Sequence, residues 1–248
     1  MNPSKPSPFL SIILPVHNEE KRLPGTLQQV ARFISAQSFN SEVLIVENGS
    51  NDRSYEIARQ FSMEHPSFFA FHEDQRGKGL AVRNGMLNAR GDYRIFCDVD
   101  FSMPVDEIVR FLPPQQVNAD IVIGSREAIG AVRYHEPAYR HFIGRIFNSM
   151  VRLTTLPGLQ DSQCGFKLFT AQCAEAVFQK QTLNGMSFDV EVLFIARRLG
   201  YSIIEIPIPW YFNQDSRVRL VDDSMRMAID LFIIRRNAAR GLYGPPKM

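Results

Sequence analysis

Asp98 and Asp100 stand one residue apart just after Tyr93–Cys97, a short apolar run that reads as a buried strand. Hard divalent cations take oxygen ligands, and Mg²⁺ or Mn²⁺ held by one or two carboxylates completes its shell with water and substrate phosphate. A cation so placed neutralises charge that develops on a departing diphosphate. A pair of turn-forming aspartates has the same spacing. The position at the carboxyl end of a central strand favours the metal reading, because open α/β sheets bind their ligands there. The same rule picks out His17–Glu20, Glu47–Asp52 and Arg76–Gly79. Glu47 and Asn48 offer polar groups to a base edge, or form a plain strand–turn–helix cap. In Arg76-Gly77-Lys78-Gly79 the glycines let backbone approach a phosphate, and the helix that follows presents its amide end. Lys78 is a phosphate contact there or a solvated side chain. This is no Walker A loop, since His72 stands where the first glycine belongs.

Between Arg126 and Arg152 lie five arginines and two glutamates. The guanidinium fork matches phosphate oxygens. Tyr139, Ile143, Ile146, Met150 and Leu153 follow helical spacing, and Arg145 and Arg152 share a face. Such a stripe packs into a core or lies on an anionic membrane. Val221, Met225, Ala228 and Phe232 make a second stripe, with Met227, Leu231 and Ile234 beside it and Arg235, Arg236, Arg240 and Lys247 following. The histidines show no metal-ligand spacing, and no GxSxG or GxGxxG occurs in a catalytic context.

The elements that position these residues alternate along the first half. Strands are expected over Phe9–Pro15, Glu42–Glu47, Phe68–His72, Tyr93–Cys97 and Asp120–Gly124. Helices are expected over Glu20–Ala36, up to Glu64, over Gly79–Ala89 and over Pro104–Leu112. Continuous apolar strands alternating with helices imply an α/β fold, a mostly parallel central sheet with helices on both faces. In the second half, helices are expected over Pro137–Leu156, Ala171–Lys180, Asp189–Leu199 and Leu220–Arg236. A loop from Leu159 leads into a strand near Leu168, and Ser202–Ile206 is another strand. The 248 residues divide into a ligand-binding half (9–125), a basic half (126–218) and a C-terminal helix with a basic tail (219–248), read as one domain. A net charge of +2 excludes a general nucleic-acid binder. Three cysteines outside any CxxC fit a reduced, cytoplasmic compartment. No apolar run is long enough for a membrane span.

Several motifs in order resemble the glycosyltransferase 2 family and its nucleotide-diphospho-sugar (GT-A type) fold: SIILPVHNEE, EVLIVENGSNDRS, RGKGLAVRNGMLNARGDY, DVDFS, VIGSR, DSQCGFKLF and FDVEVLFIARRLGYSIIEIPIPW. Within it the chain is similar to the polyprenyl-phosphate sugar transferases, to the dolichyl-phosphate glucosyl branch more than the mannosyl one. The resemblance implies that Pro15, His17 and Glu19 contact the nucleotide. Glu47 and Asn48 stand where the family carries paired aspartates. Asp98 and Asp100 match the metal and diphosphate motif, and Lys78 lies beside the donor. Arg126 and Arg140 match arginines that bind an acceptor phosphate; Gly144 replaces a serine expected near them. Arg217 matches a basic residue of a closing loop. Asp189 stands where glucosyl members carry aspartate, which points to UDP-glucose.

The resemblance implies inverting hexosyl transfer from a UDP-sugar to a polyprenyl phosphate, dependent on Mg²⁺ or Mn²⁺, at the inner face of a membrane. Many such enzymes carry a transmembrane anchor. Here the two amphipathic helices, a membrane-anchoring subunit or a non-lipid acceptor takes its place; an oligomer is compatible with the sequence. The alternatives are GDP-mannose as donor, or a hydroxyl acceptor with Asp189 or Glu191 as base.

Overall fold

The computed structural model describes residues 7–116, 118–213 and 220–244, with backbone only for 220–225. The chain runs β1 (Leu10–Val16), α1 (Leu23–Ser35), β2 (Ser41–Asn48), α2 (Ser54–Glu64), β3 (Phe68–Glu73), α3 (Lys78–Asn88), β4 (Tyr93–Cys97), a 3₁₀ helix (Val105–Phe111), β5 (Ile121–Ser125), β6 (Val132–Tyr134), α4 (Ala138–Thr154), β7 (Phe166–Thr170), α5 (Ala171–Phe178), α6 (Phe188–Leu199), β8 (Ile203–Pro207), β9 (Pro209–Tyr211) and α7 (Leu220–Ala239).

Seven strands form one sheet in the order β3-β2-β1-β4-β7-β5-β8. All neighbours are parallel except those of β7, which runs antiparallel between β4 and β5. The mostly parallel sheet expected from the apolar strands is therefore present. β1 and β2 are buried almost throughout because helices cover both faces. One core cluster packs α3, α5 and α6 on one face, and another packs α1 and the 3₁₀ helix on the other. Close approach is built in at Gly85 of α3, where a Cβ would stand 2.4 Å from Ile13 Cγ2 of β1.

Three features depart from the sequence expectation. The Pro104–Leu112 helix is a 3₁₀ helix over Val105–Phe111; so short a segment gains little from the i→i+4 pattern. The pair β6–β9, three residues each, forms a separate parallel ribbon. α7 continues to Ala239, and Tyr243 after it is fully buried. Its hydroxyl donates to Glu191 Oε1 at 2.6 Å. Glu191 also accepts from the Thr182 and Leu183 amides and the Thr182 hydroxyl. Glu191 is thus a buried clamp between α6 and the C-terminal segment, which removes it as a candidate base. Burial and then the Glu191 hydrogen bond push the Tyr243 hydroxyl up to about 12. Tyr243→Phe is expected to destabilise the fold by about 1–2 kcal/mol in urea unfolding, since Glu191 loses one of its donors. A loss below a few tenths would place the clamp elsewhere.

Candidate active site

The sheet opens between β1 and β4. β1 pairs with β4 only from Leu10 to Ile13, yet stays beside β2 through Val16. Pro15 therefore sits past the fork, flanked by β2 alone, at the switch point where a parallel sheet leaves a crevice. Glu47 and Asn48 are the last two residues of β2, and His17, Asp98 and Asp100 follow the ends of β1 and β4.

The β1 and β2 loops are laced together. Asn48 Nδ2 donates to the Val16 carbonyl at 2.8 Å, and Asn48 Oδ1 accepts from the Gly77 amide at 3.0 Å. His17 Nδ1 lies 2.7 Å from the Asn48 carbonyl. The Glu19 amide donates to Ser54 Oγ at 2.7 Å, and Arg22 lies 3.6 Å from the Glu19 carboxylate. Glu47 is buried, accepting from the Ser50 amide at 2.5 Å and meeting His72 Nδ1 at 2.6 Å. The Glu47 hydrogen bond is the main reason the His72 pKa is raised, against a smaller effect of burial. His72, noted in the sequence only as a departure from a phosphate loop, is thus the partner that absorbs Glu47.

These contacts give the Glu47–Asn48 pair a physical reason. Asn48 needs one donor and one acceptor, which a carboxylate does not supply. Asn48→Asp is expected to cost about 1–3 kcal/mol by setting an oxygen against the Val16 carbonyl. A thermal melt checks this; an unchanged midpoint would contradict it.

Past β4, the Asp98 amide donates to the Gly165 carbonyl at 3.1 Å, and Asp100 Oδ1 accepts from the Ser102 amide at 3.1 Å. Thr26 Oγ1 of α1 donates to the Val99 carbonyl at 2.8 Å and holds the turn from below. Lys78, the first residue of α3, lies 2.5 Å from Asp98 Oδ1. Lys78 is therefore an ion-pair partner of the aspartate pair and not a solvated side chain. Burial opposes its charge, but Asp98, Asp189 and Asp100 outweigh it and raise the Lys78 pKa. Asp100 is raised by burial and then by Asp98. Two adjacent carboxylates, that of Asp98 40% exposed, suit a hard cation that keeps substrate oxygens in its shell. Among the described residues no group of three or more His, Cys, Asp or Glu side chains encloses a metal.

Asp189, in the first turn of α6, is buried and lies 2.5 Å from Lys167 Nζ. Burial raises its pKa against the pull of Lys167 and Lys78. Lys167, wholly buried, also donates to the Cys164 carbonyl at 2.5 Å and lies over the Phe96 ring.

The basic half begins at the end of β5. Arg126 forms a fork with Asp161, Nε to Oδ2 at 2.6 Å and Nη2 to Oδ1 at 2.9 Å. Arg126 also lies 5.4 Å from the Trp210 ring centre, with Arg133 5.7 Å from the same ring. Arg133 is taken up by Glu127 and Glu136. Arg140 lies 5.2 Å from the Phe212 ring centre and makes no ion pair with a described residue. Gly144, one turn on, has open space at its Cα. The ribbon β6–β9 thus makes an aromatic shelf on which the arginines lie. Arg217 lies outside the described residues.

The family model for glycosyl transferase family 2 matches residues 11–178. The chain belongs to that family. A dolichyl-phosphate β-glucosyltransferase of Trichomonas vaginalis is 32% identical over 240 residues, covering 92% of this chain and 73% of its own length. The dolichyl-phosphate β-glucosyltransferase of Saccharomyces cerevisiae is 31% identical over 260 residues, covering 95% and 76%. Among solved structures, glucosyl-3-phosphoglycerate synthase from Mycobacterium tuberculosis, crystallised with Mn²⁺, UDP and glucosyl-3-phosphoglycerate, aligns with a TM-score of 0.67 at 17% identity, covering 92% of this chain and 80% of that one. That likeness shows the GT-A fold.

In this family 2 glycosyltransferase one segment joins the two halves of the site, and sequence reading passed over its roles. Asp161 holds Arg126, the Cys164 carbonyl holds Lys167, and Gly165 packs on Asp98. A Cβ at Gly165 would stand 1.9 Å from Asp98 Oδ2. The DSQCGFKLF motif contained all of these residues, and only their three-dimensional partners reveal what each does. Cys164 is no nucleophile, since burial pushes its thiol up to about 12.

Proposed function

We propose that this enzyme transfers glucose from UDP-glucose to a polyprenyl phosphate with inversion at the anomeric carbon. The reading is carried by the Asp161–Lys167 segment, which ties Arg126 through Asp161 and the Asp98 turn through Gly165. The curated relatives named for dolichyl-phosphate glucosylation support the same donor and acceptor classes. Pro15, His17, Glu19 and the Glu47–Asn48 strand end frame the nucleotide. Lys78 faces the diphosphate. Asp98 and Asp100 would hold Mg²⁺ or Mn²⁺, which when bound supplies charge neutralisation for the leaving UDP.

Asp189 orients the sugar. Lys167 occupies one of its oxygens, and a phosphate acceptor is already an anion near neutral pH, so no base is required of it. Arg126 arrives with its fork on Asp161 and so positions the phosphate from a fixed place. Arg140, with no carboxylate partner among the described residues, closes on it. Catalysis is then chiefly positioning and electrostatics.

The acceptor's lipid character is supported by α4. Its expected apolar stripe splits: Tyr139, Ile146 and Leu153 are exposed, Leu153 at 87%, while Ile143 is half-buried and Met150 packs against the core. Beside it Phe142 is 66% exposed, and Phe147 and Val151 turn inward. Phe232 of α7 is exposed too, whereas Leu231 and Ile234 are buried. Val221 and Met225 lie outside the described side chains. No helix among the described residues is long and apolar enough to cross a membrane. We read the α4 face, flanked by Arg145 and Arg152, as resting on the cytoplasmic leaflet of a membrane.

Arg140→Ala is expected to raise KM for a short polyprenyl phosphate about tenfold while leaving KM for UDP-glucose unchanged, as loss of one charge-assisted contact implies. Steady-state kinetics with each substrate varied separately reads both values. A change confined to the donor would overturn the assignment of Arg140 to the acceptor.

A further inference from the structure

We infer that Lys78 is a resident counter-cation of the aspartate pair, so that divalent cation and donor diphosphate bind cooperatively. The inference rests on the two-aspartate reading of the donor site. Lys78 Nζ sits 2.5 Å from Asp98 Oδ1, with the lysine side chain only 19% exposed. Asp189 and Asp100 add to the field that holds it there.

The backbone that carries Lys78 is wedged in place. A Cβ at Gly77 would stand 2.6 Å from the Asn184 carbonyl oxygen, and one at Gly79 2.6 Å from Phe188 Cβ. The Gly77 amide is tied to Asn48, and the Gly79 carbonyl accepts from Gln181 Nε2 at 2.9 Å. α3 therefore does not slide, and Lys78 leaves Asp98 only by turning its own flexible stem.

A divalent cation on the Asp98 carboxylate repels an ammonium on the same group. Cation alone must expel Lys78 from its best partner. Diphosphate alone must draw Lys78 away and leave Asp98 and Asp100 facing new negative charge. Together the two ligands exchange partners: cation to the carboxylates, Lys78 to the phosphate oxygens. Each ligand lowers the cost of the other, and by linkage the coupling is reciprocal.

Titration calorimetry of Mn²⁺ and of UDP, each with and without the other, tests this in wild type, Lys78→Met and Lys78→Arg. In wild type, UDP is expected to tighten Mn²⁺ at least 100-fold. In Lys78→Met, Mn²⁺ alone is expected to bind about tenfold tighter than in wild type and UDP alone about tenfold weaker. The coupling factor should shrink at least tenfold, and Lys78→Arg should restore most of it. Thermal unfolding confirms that each variant is folded. Unchanged Mn²⁺ affinity and undiminished coupling in folded Lys78→Met would overturn the inference and leave the aspartate site standing. Absence of Mn²⁺ binding to wild type even with saturating UDP would overturn both.

Discussion

Replacing Gly165 with alanine is expected to lower the turnover number about 100-fold while the protein stays folded. The cause is steric and local. A Cβ at this position would overlap Asp98 Oδ2 at 1.9 Å and Asp98 Cγ at 2.4 Å. The Asp98 carboxylate must turn away, because its own backbone is held by the Gly165 carbonyl and the Thr26–Val99 contact. A misplacement of about 1 Å in a positioned reacting group costs on the order of 100-fold. Asp98 is partly open to the crevice, so the side chain has room to move and stability changes little. Single-turnover rates with saturating donor, alongside a thermal melt, separate the two effects. Turnover within about threefold of wild type would show that Asp98 is not held where the chemistry needs it.

Asp161→Ala carries the largest expected cost in stability, about 3 kcal/mol in urea unfolding. Asp161 is fully buried and meets Arg126 through two parallel hydrogen bonds. Removing one partner of such a pair strands the other charge, and that costs more than the pair itself contributes. The cost falls at the low end of the usual range because Arg126 keeps 21% of its side chain exposed and so retains some water. Burial pushes the Asp161 carboxyl up, but the Arg126 guanidinium overrides it and leaves the group at about 2, below its ordinary 3.8.

The folded value is the depressed one. The stabilisation is therefore complete above about pH 4 and is lost as pH falls through about 2; the difference corresponds to about 2 kcal/mol. Wild type should show this acid limb and Asp161→Ala should lack it. A variant as stable as wild type at pH 7, with the same acid limb, would show that the Asp161–Arg126 pair does not stabilise the fold.

How far these partners were legible in the sequence depended on range. β1, β2 and β4 announced themselves as apolar runs, and the residues after them fell at the crevice because a parallel sheet leaves its ligand sites there. Asp98 and Asp100 needed nothing more. β7 was visible as a strand, but a run of apolar residues does not encode direction, so its antiparallel insertion between β4 and β5 was not. β6 and β9 are too short to show a period. Their Trp210 and Phe212 neighbourhood, which seats three arginines, emerged only when residues far apart in the chain met.

The same limit explains Lys167 and Asp161. Each is a charged residue in an ordinary-looking segment, and its burial follows from a partner 22 or 35 residues away. The α4 stripe shows the opposite case. Its spacing was clear, but periodicity states that a face is apolar and not what covers it; that Met150 meets the core while Tyr139, Ile146 and Leu153 stay exposed is a fact of the fold.

Mass spectrometry of the products shows whether a sugar moves from a UDP-sugar to a lipid phosphate. The full chain is incubated with Mg²⁺ or Mn²⁺, a panel of UDP- and GDP-hexoses and a short polyprenyl phosphate. A hexosyl-phosphoprenol formed with UDP-glucose, and absent without lipid phosphate, is the predicted result. UDP-glucose turnover that yields only free glucose, or transfer to a hydroxyl acceptor in place of the phosphate, would contradict it.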